Sequence, residues 1–149
     1  WMANNYEKVI GTDISEHVIA AATKNCEHLD NIVFYVNGPD SLPADVLPAS
    51  VDVAYIFTVF QHIPREYTQN ILRSVEQVLK PGGKVVFNLL SNINEELNEG
   101  EQHTEWAIGY SDDQARNLLR DSALREERLV HWSRPETAIS WLWVSGIKQ

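Results

Sequence analysis

A repeated switch of hydrophobic period constrains this chain more than any other feature. Residues 8–13 (Lys-Val-Ile-Gly-Thr-Asp) form a short β-branched run that stops at an acid, and Ser15 follows as a good helix N-cap. Val18, Ile19, Ala22 and Cys26 then recur at helical spacing, with Glu16 in the first turn. Residues 31–36 return to a strand pattern and run into the turn-rich segment 37–41. Residues 51–57 are almost continuously apolar, as in a strand covered on both faces. Pro64 opens a second helical pattern carried by Tyr67, Ile71, Leu72, Val75, Val78 and Leu79, and Pro81-Gly82-Gly83 is expected to end it. A strand over 85–90 follows. Ser111 with Gln114 then matches a capping box that opens a helix with Ala115, Leu118 and Leu119 on its apolar side. Two strand-like runs near 127–132 and 138–147 complete the chain.

Two-sided apolar strands alternating with helices predict an α/β protein with a Rossmann-like, mostly parallel sheet and helices on both faces. The two successive strands at the end predict an antiparallel C-terminal hairpin. No repeat or linker divides the 149 residues, so a single domain over 1–149 is expected. Within it, the stretch up to Ser50, with Pro43 and Pro48, is expected to be a loop or broken turn, and the polar segment 91–110 a long loop or insertion.

Composition excludes several functional classes. With 12 basic and 21 acidic residues the net charge is -9, which repels phosphate polymers unless basic residues cluster. They do not: the densest basic stretch, 116–134, is interleaved with Asp121, Glu126 and Glu127. The single cysteine, Cys26, excludes an internal disulfide framework and a Cys-based zinc finger, and His17, His28 and His131 show no metal-site spacing with it. No apolar run approaches the roughly 18 residues that cross a bilayer, and no signal pattern opens the chain, so a soluble cytoplasmic protein is expected.

In sheets of this type ligands bind beyond the carboxyl ends of the strands, which directs attention to 13–15, 38–40, 57–62 and 88–92. An acid at a strand tip can accept two hydrogen bonds from a ribose diol. Asp13 is so placed, and an Asp before a helix also serves as a cap.

Three segments resemble the class I S-adenosylmethionine-dependent methyltransferase family in order and spacing. They are Val9-Ile10-Gly11-Thr12-Asp13-Ile14-Ser15, then Ser50-Val51-Asp52-Val53-Ala54-Tyr55 running into Phe60-Gln61-His62-Ile63-Pro64, then Val78-Leu79-Lys80-Pro81-Gly82-Gly83. The closing Ser140-Trp141-Leu142-Trp143-Val144 resembles the family's last strand, inserted antiparallel beside its fifth. The resemblance implies S-adenosylmethionine as cofactor, with Asp13 on the ribose hydroxyls and Ile14 beside it. It places Gly38 and Asp40 where the family contacts adenine, with Pro39 departing from its usual polar residue. Phe57 and Gln61 fall where the family lines the methionine end and the acceptor pocket, and His62 where a general base could act. His62 could equally pack or cap at the start of the Pro64 helix. His103 and Tyr110 could line the acceptor site or be solvated loop residues.

Only eight residues precede Val9, whereas the family's first strand and glycine-rich loop would need about one βα unit, roughly 30 residues. The chain opens on Trp1 with Met2 as its only methionine, and residues 1–6 resemble the tail of the helix after that loop. An N-terminally truncated domain is therefore expected, in which either upstream residues, a homodimer partner, or a closing-up of the two flanking strands answers for a missing central strand. Weak or no activity is expected of this form. The resulting reading is a methyltransferase acting on a small-molecule acceptor, with no nucleic acid, membrane or metal involved. A non-catalytic remnant that dimerises or binds a partner is the alternative. A nicotinamide-dependent dehydrogenase would share the acid at the second strand but not the closing hairpin.

Overall fold

The structure, a computed structural model, describes residues 2–91, 108–133 and 140–149. The chain divides into two compact units, Trp1–Val46 and Leu47–Gln149.

In the first unit, β1 (Val9–Asp13) and β2 (Ile32–Val36) pair in parallel from Val9↔Ile32 to Asp13↔Val36. The crossover is α1 (Glu16–Asn25). Ser15 caps it by accepting from Val18 N, and Glu16 and Lys24 complement the helix dipole at its two ends. Gly11 faces Phe34 across the pair. A Cβ there would lie 2.6 Å from Cδ1 and Cε1 of the ring, so glycine leaves the space in which Phe34 lies across β1. The N-terminal segment forms one 3-10 turn, Met2–Asn4, instead of the tail of an α-helix. The Asn31 amide fastens it by donating to the carbonyls of Ala3 and Tyr6.

The second unit contains β3 (Val51–Ile56), α2 (Arg65–Val78), β4 (Leu79–Ser91), β5 (Gly109–Tyr110), α3 (Asp112–Arg120), β6 (Leu124–Ser133) and β7 (Ser140–Lys148). Its strand order is β3-β4-β7-β6, with β5 also on β4. β4 runs parallel to β3 and β5 and antiparallel to β7, so the C-terminal hairpin is present, with β7 between β4 and β6. Parallel pairing predominates in the described ladders, as expected.

The breaker triplet behaves differently from its local reading. α2 ends at Val78 because Leu79 turns extended, and β4 starts there instead of at Val85. Val51 pairs with Leu79 and Val53 with Lys84, so residues 80–83 bulge out of the ladder. Gly82 takes φ +78°, and a Cβ on Gly83 would lie 2.8 Å from the Lys80 carbonyl oxygen and 3.1 Å from that of Val51. Pro81-Gly82-Gly83 is thus a bulge inside a strand.

The core follows from alternation. Val85, Phe87 and Leu89 of β4 and Leu142 and Val144 of β7 are buried, together with Leu72, Val75 and Val78 of α2 and Ala115, Leu118 and Leu119 of α3. The Ser111–Gln114 capping box is formed in full, each residue bonding the other's backbone N–H. Tyr110 joins this core instead of lying in a solvated loop. Its hydroxyl lies 3.2 Å from Thr68 Oγ1, and the Arg65 guanidinium sits 5.1 Å over its ring while donating to the Gly109 carbonyl.

Among the described residues, no strand pairs with the second edge of β1 or of β3, and β1 and β3 belong to separate sheets. No helix among the described residues is long and apolar enough to cross a membrane.

Two outcomes follow from this packing. A Cβ on Gly146 would fall 2.7 Å from Leu119 Cδ2 and 3.5 Å from Val85 Cγ1, so Gly146→Val is expected to cost about 1–3 kcal/mol of overpacking, read as a lower urea midpoint. An unchanged midpoint would contradict the packing of α3 on β7. Burial raises the Tyr110 pKa above its ordinary value, against opposing effects from Thr68 and Arg65. Its contribution to stability is therefore full below the unfolded tyrosine value of about 10 and lost as pH rises through the folded value. Urea midpoints above pH 10 should fall more steeply for the wild type than for Tyr110→Phe; parallel profiles would exclude this coupling.

Candidate functional site

In the first unit the expected site residues gather at the carboxyl ends of β1 and β2. Asp13 is half-buried at the tip of β1, opposite Val36, and its main-chain oxygen accepts from Asn37 N at 3.0 Å. Its Oδ1 accepts from Ser15 N at 2.8 Å, which fixes the carboxylate by its own following turn. The cap of α1 is Ser15, so Asp13 braces the turn before the helix through one oxygen and does not itself cap it. Ile14 beside it is 60% exposed, an apolar side chain held out at the strand end. Asn37 Nδ2 bonds the Gly38 carbonyl at 2.7 Å, and a Cβ on Gly38 would sit 2.7 Å from Ser41 Oγ. That turn closes tightly because position 38 is glycine. Asp40, half-buried, completes it.

In the second unit the candidates follow β3. Phe57 is 41% exposed and meets Trp143 edge-on at 5.2 Å between ring centroids. Thr58 comes next with φ 56°, a left-handed conformation rare for a β-branched residue. A 3-10 turn, Phe60–His62, then buries Phe60 and Gln61 and leaves His62 exposed. Gln61 Nε2 lies 3.2 Å from His62 Nε2, so the amide can donate to an imidazole whose Nε2 carries the lone pair. Gln61 Oε1 and Arg65 Nε are both buried with no hydrogen-bond partner among the described residues. An orphaned acceptor and an orphaned donor, four residues apart at the start of α2, are costly unless a bound polar group uses them. The Gln61 main chain also accepts from Ile108 N at 2.8 Å, which holds the segment before β5 against this turn.

Asp13, Ile14, Gly38 and Asp40 thus share one unit, and Phe57, Gln61 and His62 share the other. His103 lies outside the described residues. Among the described residues no group of three or more His, Cys, Asp or Glu could hold a metal ion. Arg65 lies outside the windows that the sequence singled out. Thr58 and Asn88 fall inside two of them, 57–62 and 88–92, but nothing local signals that the Asn88 amide turns back onto Thr58.

A family model described as a methyltransferase domain matches residues 1–87. No curated protein matches. Among solved structures, an S-adenosylmethionine-dependent methyltransferase of Methanosarcina mazei aligns with a TM-score of 0.77 at 18% identity, covering 98% of this chain and 84% of that one. One from Mesorhizobium loti gives a TM-score of 0.74 at 23% identity, over 95% and 81% of the two chains. The 1,6-didemethyltoxoflavin-N1-methyltransferase of Burkholderia thailandensis, solved with 1,6-didemethyltoxoflavin and S-adenosylhomocysteine, gives 0.72 at 14% identity, over 95% and 61%. At these identities the likeness is one of fold, and it agrees with the Rossmann-like α/β architecture. Because the family model covers more than half of the sequence, the chain belongs to the methyltransferase-domain family.

Proposed function

We propose that the chain is an S-adenosylmethionine-dependent methyltransferase domain, working as one unit over 1–149 on a small-molecule acceptor in the cytoplasm. The observation that carries this reading is the Asp13 carboxylate. It stands at the tip of a parallel strand, is fixed through one oxygen by Ser15 N, and retains acceptor capacity for a vicinal diol. The donor set suits the nucleoside part of the cofactor: an anchored acid for the ribose, an exposed Ile14, and the tight turn at Gly38 with Asp40 for the adenine side.

S-adenosylmethionine supplies an electrophilic methyl group on sulfonium, and in-line displacement onto it depends chiefly on alignment. Phe57 lends an apolar surface at the end of β3 for that alignment. Gln61 Oε1 and Arg65 Nε, buried and unmatched, offer an acceptor and a donor for a polar group of the acceptor molecule. His62, exposed beside the Gln61 amide, is the general-base candidate for an incoming nucleophile. The net charge of -9 disfavours nucleic-acid acceptors.

One observation favours the second reading, a binding or dimerisation module. Among the described residues the outer edges of β1 and β3 are unpaired, and a second copy of the chain could pair them. Light scattering that finds only monomer at high concentration would remove the homodimer.

Calorimetry separates the cofactor classes. S-adenosylhomocysteine is expected to bind and NAD is not; the reverse result overturns the methyltransferase reading. Asp13→Ala should weaken S-adenosylhomocysteine by about 1.5–3 kcal/mol, the range for hydrogen bonds to a charged group. Unchanged affinity would remove Asp13 from the site.

A further inference from the structure

The turn after β3 carries two costs that packing does not explain. Thr58 holds φ 56°, in a region that a branched Cβ makes unfavourable. On either side of it Phe57 and Val59 are each 41% exposed, so the strained residue leaves its two immediate apolar neighbours open to solvent. Strain and exposure together, at the carboxyl end of a parallel strand, mark a place where geometry is maintained for something other than stability.

A single buried contact maintains it. Asn88 on β4 is 3% exposed, and its Oδ1 accepts from Thr58 N at 2.7 Å. The Thr58 hydroxyl adds a local bond by donating to the Phe57 carbonyl at 2.7 Å. Asn88 is also the register partner of Trp143 on β7, and Trp143 is the ring against which Phe57 leans edge-on. The turn therefore meets β4 through the Asn88 amide and β7 through the Trp143 ring, at one cross-strand level. The location is specific as well. β4 pairs with β3 as far as Phe87↔Ile56 and takes up β5 at Leu90↔Gly109. At Asn88 that edge of β4 is between partners, which is where a side chain can reach across to a departing turn.

We propose that Asn88 is a positioning residue for cofactor binding: by holding Thr58 left-handed it sets Phe57 and Val59 as a fixed apolar wall at the end of β3. It acts through the turn and does not itself touch the cofactor. The inference rests on the reading of Phe57 as a cofactor contact.

The test combines two substitutions with two readouts, calorimetry with S-adenosylhomocysteine and amide hydrogen exchange at Thr58. Asn88→Ala is expected to weaken binding about tenfold, the effect of one lost hydrogen bond on the geometry it holds, and to speed exchange at Thr58. Adding Thr58→Gly should recover most of that affinity, because glycine takes positive φ without the asparagine. A general loss of packing would not be repaired by removing a side chain. Wild-type affinity in Asn88→Ala, or a loss that Thr58→Gly leaves untouched, overturns the proposal. If Asn88→Ala does not fold, Asn88→Asp, which keeps an Oδ acceptor, is expected to bind within about threefold of wild type, and a tenfold loss there also overturns it. A wild-type chain that binds no S-adenosylhomocysteine would instead refute the cofactor reading, while exchange at Thr58 would still report whether Asn88 holds the turn.

Discussion

The second unit depends on β4 being hydrogen-bonded along both edges. From Lys84 to Phe87 each residue pairs with β3 on one side and β7 on the other. A strand bonded on both sides can be removed from water without leaving backbone groups unmatched, and only then can both of its faces carry buried side chains. Val85, Phe87 and Leu89 take the face of the core, with Phe60 edge-on to Phe87 at 5.5 Å. The intervening positions, Val86, Asn88 and Leu90, point the other way. Asn88 can be a buried amide only because this ladder surrounds it, and its carbonyl oxygen then finds its partner in a turn instead of in the sheet.

What was legible in the sequence was what is decided locally. The runs at 9–13, 32–36 and 51–56 became strands because β-branched and aromatic residues with few charges among them fit a pleated, covered surface. Ser15 and the Ser111–Gln114 pair cap helices because capping involves only the next three residues. Asp13 was legible as a strand-tip acid for the same reason. Pro81-Gly82-Gly83 was misread as a helix stop because its bulge exists only through Val51, which pairs with Leu79 from far away in sequence. β5 has two residues, too few to leave a pattern, and Tyr110 is buried through Thr68 and Arg65, more than forty positions earlier. The left-handed Thr58 belongs to the same class: its support comes from thirty residues downstream.

The margins of the larger sheet are treated differently. β6, at one edge, presents Arg125, Glu126, Glu127 and Arg128, and these engage neighbours: Glu127 pairs with Lys84, and Glu126 with Arg116 at 3.3 Å. Charges on an outer strand deter further pairing, and burial of the Glu127 carboxylate is not needed for Lys84 to lower its pKa. β3, at the other edge, has one charge, Asp52, which Lys80 neutralises at 2.8 Å. Its remaining residues are Val51, Val53, Ala54, Tyr55 and Ile56, a composition suited to being covered. The same holds for β1, whose one acid stands at its tip. The chain thus guards the β6 edge by charge and leaves β1 and β3 with apolar, pairable edges.

That asymmetry bears on how the site is built. A fixed strand-tip carboxylate needs only a strand end and a local turn, and Asp13 obtains both within three residues. An apolar wall for a sulfonium-bearing ligand is harder, because exposed aromatic and aliphatic groups gain free energy by collapsing onto the nearest surface. Phe57 leans on Trp143 yet, like Val59, stays 41% exposed beside a backbone conformation that a branched residue resists, and this resistance must be met by a bond that solvent cannot easily replace. A buried amide meets that requirement better than an exposed one, since the dry surroundings of Asn88 make the Thr58 N–H bond costly to break and so keep the turn in one state.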